Sequence, residues 1–267
     1  MSKTVSLYDG TQHILFDDVK HCYINKESGL PVAGVTSILS GAIPKPALLQ
    51  WAANMAVDYI NTSIFTDNNR GRDVLTLHSH HVDTILKEAK TAHRKKKEDA
   101  GTRGKDVHTF AERVLVNGDA KMPPDPETAK GCAAFLSWLD GVNLEVINSE
   151  RIIFSKTWWY CGTTDVYGRI KGKNCVIDFK SGSGFYDEHP LQLAAYAVAI
   201  EEETGDKIVD GWIIHLDKTT GKPTPYPVPL TRGLKDNWLR VRESYEAIQK
   251  TQAIVKEIKD GIRAKAA

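Results

Sequence analysis

The chain has 267 residues, room for one large domain or two small ones. With 41% hydrophobic and 26% charged residues it has the composition of a globular protein with a core, and no apolar run approaches the roughly 20 residues that cross a bilayer. Lys and Arg total 35 against 34 Asp and Glu; the net charge of +1 argues against a non-specific nucleic-acid coat protein, though not against an enzyme on nucleic acid, where local charge does the steering.

In chain order, the N-terminal MSKTVSLYDG has neither an apolar signal core nor the arginines of an organelle transit peptide, so a cytoplasmic location is expected. Residues 5–39 alternate short β-like runs with turn signals. HILF and HCYI flank DDVK, NKESG makes a turn and VAGVTSIL follows, which predicts small antiparallel strands. Pro44 and Pro46 end that stretch, and Leu48, Trp51, Ala52, Met55 and Tyr59 then recur at helical spacing. Residues 73–99 read as a long polar helix with Val74, Leu77, His81, Ile85 and Leu86 on one stripe. The two glycines of AGTRGKD are expected to break it before a second helix, VHTFAERVLVNG, with Gly118 as its C-cap. AKGCAAFLSWLDGV reads as a third helix.

From about residue 144 the chain turns β-rich: LEVINSERIIFS, TWWYCGTTDVYGRI and NCVIDFKS are separated by short turns. HPLQLAAYAVAIEEETG is a helix between Pro190 and Gly205, IVDGWIIHLD a strand, and TTGKPTPYPVPL a proline-rich edge segment. A long amphipathic helix over 234–262 closes the chain. The order predicts a single α/β domain over 1–267, with strands and a helical region over 1–141 and a sheet core plus C-terminal helix over 142–267.

The four cysteines, Cys22, Cys132, Cys161 and Cys175, are scattered and contain no CxxC pair, so buried free thiols are expected rather than a zinc or iron–sulfur site. His78, His80 and His81 lack carboxylate or cysteine partners at ligand spacing and read as a polar helix face. The basic runs at 70–72 (RGR) and 94–97 (RKKK) have two readings, a solvated helix face or a phosphate-contacting patch.

The residues that carry chemistry lie in VIDFKSG. Val176, Ile177 and Phe179 predict a buried strand, yet Asp178 and Lys180 stand two apart, on the same face. The preceding strand holds Asp165, joined through the turn KGKN, so a hairpin would bring both aspartates to one end. Paired carboxylates repel unless a cation lies between them, and magnesium takes such oxygen ligands; the Phe179 carbonyl is a candidate third. Because Asp178→Asn would relieve that repulsion, it is expected to melt no lower than the parent. Lys180 beside two acids stays charged, which suits it to orient water and stabilise charge building on a phosphate rather than to act as a base.

GTTDVYGRIKGKNCVIDFKSG…HPLQLAAYA resembles the RecB-like branch of the PD-(D/E)XK nuclease superfamily, the branch of phage exonucleases and the mitochondrial genome maintenance exonuclease. The resembling positions are Gly162, Asp165, Asp178, Lys180, Gln192 and Tyr196, with Gly104, His108 and Glu112 in an upstream G-x-x-x-H-x-x-x-E helix. GVTSIL…PKPALLQWA looks like the opening of phage members. The resemblance covers roughly residues 30–250.

It implies a restriction-endonuclease-like core, a mixed sheet flanked by helices, behind an N-terminal helical region. It also implies a metal held by His108, Asp165, Asp178 and the Phe179 carbonyl, with Glu112 as a weaker ligand or hydrogen-bond partner and Lys180 completing the catalytic set. An imidazole ligand widens the choice from Mg²⁺ to Mn²⁺. DNA contacts are implied for Gln192, Tyr196, Ser181, Arg103, Lys105, Arg94, Lys95, Lys96 and Lys97, with the helical region as a path for a strand. No cysteine follows Cys175, so the iron–sulfur cluster of some relatives is not expected. The implied function is a metal-dependent DNA exonuclease on linear or single-stranded ends, in phage or bacterial recombination, repair or replication, with a partner protein of that machinery. The alternatives are a structure-specific endonuclease of the same fold and an idle DNA- or partner-binding module.

Overall fold

The computed structural model describes residues 2–17, 19–20, 22–65, 76–182 and 184–266. The elements are β1 (Ser2–Leu7), β2 (Gln12–Asp17), β3 (Cys22–Asn25), β4 (Pro31–Gly34), α1 (Val35–Ala42), α2 (Pro46–Ile64), α3 (Ser79–Asn117) and α4 (Pro126–Asp140). They continue with β5 (Leu144–Ser155), β6 (Tyr160–Ile170), β7 (Lys173–Lys180), α5 (Glu188–Thr204), β8 (Asp210–Leu216), β9 (Pro223–Pro229) and α6 (Arg232–Ala266). The chain forms two compact units, one of Met1–Ile43 with Asp106–Ala267 and one of Pro44–Lys105. No helix among the described residues is long and apolar enough to cross a membrane.

The smaller unit is helical. Within it α2 and the α3 turns before Asp106 run antiparallel, with the Trp51 and His93 rings edge to face at 6.4 Å and the Tyr59 hydroxyl bonded to Glu88. Arg94, Lys95, Lys96, Lys97 and Lys105 are exposed along α3, as are His78, His80 and His81, and Arg103 is half-buried. RGR at 70–72 and Val74 lie outside the described residues.

Two expectations are corrected here. The helix over 73–99 and the one after AGTRGKD are a single helix, α3. Gly101 and Gly104 each weaken a helix by only about 1 kcal/mol and, unlike proline, keep the N–H that continues the ladder. Gly118, at φ +78°, donates to the Val114 carbonyl and ends the helix as expected. In VAGVTSIL the strand stops at Gly34 and α1 begins. Val35, Ile38 and Leu39 are buried at i, i+3 and i+4, which is the helical period and not the strand period.

The larger unit is a mixed α/β structure: a central mixed sheet flanked by helices. Strand order is β1-β2-β3-β4-β6-β7-β8-β9, with β5 on β6. β4 with β6 and β7 with β8 are parallel, and the other pairs are antiparallel. At the far edge β9 has proline at 223, 225, 227 and 229, so the N–H groups of the alternate residues remain for the ladder to β8.

Alternation along the strands separates two apolar layers. Tyr167, Val176 and Ile213 face α1, α5 and α6, with Trp238, Leu193 and Ile200 in that core. Val166, Ile177, Phe179 and Ile214 face α4 and the end of α3, against Val107, Phe110, Phe135 and Trp138. Cys132 and Cys175 pack in this second layer, and Cys161 packs in a third cluster beneath the N-terminal meander.

One feature of the sheet makes room for a site. β5 runs along one edge of β6 from Ser155↔Tyr160 to Leu144↔Ile170. The other edge of β6 is shared: β4 pairs only with Tyr160 and Cys161, and β7 only from Val166 onward. Residues 162–165 therefore lie in a fork between β4 and β7. Crevices where neighbouring connections diverge are where α/β sheets bind ligands.

Opposite Gly168 the β5–β6 register shifts between Val146 and Asn148. A Cβ on Gly168 would come within 2.5 Å of the Glu145 backbone oxygen and 3.2 Å of Leu144 Cδ1. Gly168→Ala should therefore destabilise the protein by about 1–3 kcal/mol, read as a lower midpoint in urea, because backbone rather than a flexible side chain must move. An unchanged midpoint would show that the strands relax there freely.

Candidate metal centre

The fork is the floor of a cavity of about 600 Å³, lined among others by His108, Glu112, Glu150, Gly162, Thr163, Asp165, Asp178, Lys180, Gln192 and Tyr196. Register explains the carboxylates. The β6–β7 ladder ends at Val166↔Ile177, so the next residues in step are Asp165 and Asp178. On the other side, Ser149↔Val166 and Arg151↔Thr164 bracket Glu150 and Asp165. Glu150, Asp165 and Asp178 thus form one cross-strand row over β5, β6 and β7. Like charges directly opposite destabilise a sheet, so the row needs compensation.

Compensation is built in. Asp165 is 8% exposed; its Oδ1 lies 3.2 Å from His108 Nδ1 and its Oδ2 accepts the Phe179 N–H at 2.6 Å. Asp178 is 3% exposed, with Oδ1 accepting from Gln192 Nε2 at 3.1 Å and Oδ2 at 2.6 Å from Lys180 Nζ. That last contact is a short ion pair between a buried carboxylate and a half-buried ammonium. Lys180 donates to Gln192 Oε1 at 2.9 Å, and Gln192 Nε2 lies 2.6 Å from the Tyr196 hydroxyl. Gln192 and Tyr196 are one turn apart on α5, so both reach down onto the row.

The electrostatics follow. Burial alone would lower the His108 pKa, but the charge and hydrogen bond of Asp165, with Asp178 and Glu150 beyond, push it up to about 9. Burial would raise Asp165, yet His108, Lys180 and the Phe179 N–H hold it below the usual carboxylate range. Burial raises Asp178 despite Lys180, and Asp165 adds to the rise. Lys180 is lowered by burial and raised by Asp178 and Asp165, with a net rise, so it stays charged at neutral pH. Glu150 is pushed up to about 7 by burial and then by Asp165.

Glu150 is the residue that sequence reasoning missed. Among the described residues, His108, Glu150 and Asp165 form a group whose donor atoms all lie within 4.8 Å of one another. Ligands of one ion at 2.0–2.2 Å lie that close together. With the Asp178 carboxylate next in the same row, this imidazole and carboxylate donor set fits a divalent cation. Glu150 has φ +49°, a left-handed conformation that costs a glutamate about 1–3 kcal/mol and clusters at functional positions. The register was the available signal: with the turn placed at 156–159, Asp165 falls opposite residue 150. Glu112 also lines the cavity, on the same helix as His108, outside that three-residue group. Of Phe179 the structure records the N–H bond to Asp165 and a ring packed edge-on to His108 at 6.3 Å. Ser181 is half-buried just after β7.

No family model and no curated protein matches the chain. Among solved structures, it is similar to LHK-Exo in complex with dAMP, at 10% identity and TM-score 0.40, over 88% of this chain and 95% of that one. It is also similar to LHK-Exo as an alkaline exonuclease from Laribacter hongkongensis, at 10% identity and TM-score 0.35, over 82% and 100%. A phage-related exonuclease from Haemophilus somnus 129PT follows at 14% identity and TM-score 0.30, over 55% and 83%. With likeness this distant, the reading of the site rests on its own geometry.

The geometry sets two effects against each other in Asp178→Asn. Asp178 is a counter-charge for Lys180, yet burial and Asp165 hold its carboxyl above the usual range despite that pair, so ionisation is disfavoured in the folded protein. In chelator, the variant should melt no lower than the parent. A midpoint below the parent's would show that the Lys180 pair outweighs the repulsion. For the cation, Mn²⁺ should raise the parent's melting temperature, since it binds the folded state. Glu150→Gln should weaken Mn²⁺ binding by calorimetry roughly 10-fold or more, and Glu112→Gln by less. The opposite order would move the ligand role to Glu112.

Proposed function

We propose that this chain is a metal-dependent deoxyribonuclease, an exonuclease acting on linear DNA with single-stranded ends. The observation that carries the reading is the row Glu150–Asp165–Asp178, half-buried at Glu150 and buried at both aspartates, with Lys180 held against it at the floor of a cavity. Gathering three acids away from water costs stability, and a fold keeps such an arrangement where a cation and an anionic substrate must meet. Phosphodiester hydrolysis needs both.

A bound Mg²⁺ or Mn²⁺ would supply charge neutralisation on the phosphate and a more acidic water. His108, Glu150, Asp165 and Asp178 are the groups to hold it. Lys180, oriented by Asp178 and Gln192, donates to the attacking water or to a non-bridging phosphate oxygen. Water attacks phosphorus in line and gives up a proton to solvent, the opposite P–O bond breaks, and the leaving oxygen takes a proton from solvent. The two aspartates, buried at the floor of a cavity of about 600 Å³, favour a single strand, which can bend to bring a phosphate down to them more readily than a duplex. DNA as the polymer, and a place in phage or bacterial recombination, repair or replication with a partner protein there, rest on the RecB-like resemblance. The exposed basic run Arg94–Lys97, with Arg103 and Lys105, serves in this reading as backbone contacts, as do Ser181, Gln192 and Tyr196.

End-labelled linear DNA should be degraded with Mg²⁺ or Mn²⁺ and spared in excess chelator. Lys180→Ala should lower kcat by roughly 100-fold or more, the usual loss for a group that stabilises charge in the transition state. A circular single strand should outlast its linearised form. Cleavage in chelator would rule out the metal mechanism, and equal loss of circle and linear form would favour an endonuclease.

A further inference from the structure

Glu150 keeps its place among the acids of the cavity in a backbone conformation that glutamate rarely takes, with φ +49°. The next residue is fastened across it. Arg151 Nη1 donates to Asn148 Oδ1 at 2.7 Å, a bond between side chains that spans Ser149 and Glu150. Arg151 Nη2 lies 2.8 Å from Glu203 Oε2 on α5, and the two side chains are only 15% and 10% exposed. The same guanidinium stands 5.6 Å from the centre of the buried Tyr167 ring on β6. Glu203 is tied down in turn, since its Oε1 accepts the Tyr8 N–H at 3.4 Å. Asn148 sits where the β5–β6 register shifts. One guanidinium thus joins β5, β6 and α5 around the strained residue. Its planar fork can hold two fixed acceptors at once, which the point charge of a lysine does less firmly.

We propose that Arg151 and Asn148 are positioning residues for the metal centre: their bond clamps the backbone at Glu150 and so holds its carboxylate within reach of an ion shared with His108 and Asp165. The inference rests on the reading of Glu150 as a ligand and names what keeps it in place. A left-handed glutamate persists only where its surroundings over-determine it, and the Asn148–Arg151–Glu203 chain is such a surrounding. Without the clamp the backbone at residue 150 is free to return to the extended region. Because the direction of a strand side chain is set by its own backbone, that return would aim the Glu150 carboxylate away from Asp165. Neither Arg151 nor Asn148 is among the described residues that line the cavity, so both act through Glu150.

The test measures Mn²⁺ binding by calorimetry, at one pH, for the parent, Arg151→Lys, Asn148→Ala, Glu150→Gln and the two double variants that add Glu150→Gln. Arg151→Lys and Asn148→Ala both keep the net charge, so a change in affinity is not a change in the field on the ion. Each should weaken Mn²⁺ binding by roughly 3- to 10-fold in the parent, and neither should weaken it further once Glu150→Gln has removed the ligand they position. Asn148 is exposed, and its truncation leaves the Arg151–Glu203 pair in place, so Asn148→Ala answers the question even if Arg151→Lys folds poorly. A clamp with a structural role alone would lower the midpoint in urea and leave the affinity for Mn²⁺ unchanged. Unchanged affinity in Asn148→Ala, or the same loss with and without the Glu150 carboxylate, would overturn the clamp while leaving the metal centre intact. A parent that binds no Mn²⁺, or Glu150→Gln binding it as tightly as the parent, would overturn the reading of Glu150 as a ligand.

Discussion

Three carboxylates in one row of a sheet is the constraint on which the rest of the larger unit depends. Glu150, Asp165 and Asp178 are placed side by side by the pairing of β5, β6 and β7, and water reaches the two aspartates poorly. His108 and Lys180 bring two positive charges to three acids, so the ionised cluster keeps a negative remainder. Part of it is relieved by Glu150, whose proton affinity is raised to about 7. The rest is a standing attraction for a cation. Metal uptake would compete with the proton on His108, which links binding to pH.

The surrounding fold can be understood as what holds that row open. Apolar packing seals both faces of the sheet, through Tyr167, Val176 and Ile213 on one side and Val166, Ile177 and Phe179 on the other. At the fork the sheet is left unzipped over residues 162–165. Gly162 lets the two sides approach, since a Cβ there would meet Tyr196 Cε1 at 2.9 Å and Val35 Cγ2 at 3.0 Å. That close approach brings α5 low enough for Gln192 to bond Asp178 and Lys180 together. Gln192 has both a donor and an acceptor group, so it can bridge an anion and a cation where a carboxylate or an ammonium could not.

The N-terminal meander completes the wall through its own register. Its strands are short, yet Lys3, Phe16 and Tyr23 line the same cavity. The Tyr23 hydroxyl, 3.1 Å from Thr163 Oγ1, joins this meander to the fork.

What the sequence determined by itself was local. Period two put Asp178 and Lys180 on one face, period 3.6 aligned Gln192 with Tyr196, and the short turn KGKN brought Asp165 beside Asp178. The proline-rich segment read as an edge because proline cannot donate to a ladder. Glu150 was invisible because its role depends on register. The turn at 156–159 decides which β5 residue faces Asp165, and a slip of one would present Ser149 or Arg151. The continuity of α3, the passage from strand to helix at Val35 and the parallel pairing of β4 with β6 escaped for a related reason. Patterns of polarity report which face of an element is buried, but the partner it is buried against is chosen by contacts between distant parts of the chain. The tertiary structure alone made that choice, and with it placed the third carboxylate and the aromatic wall.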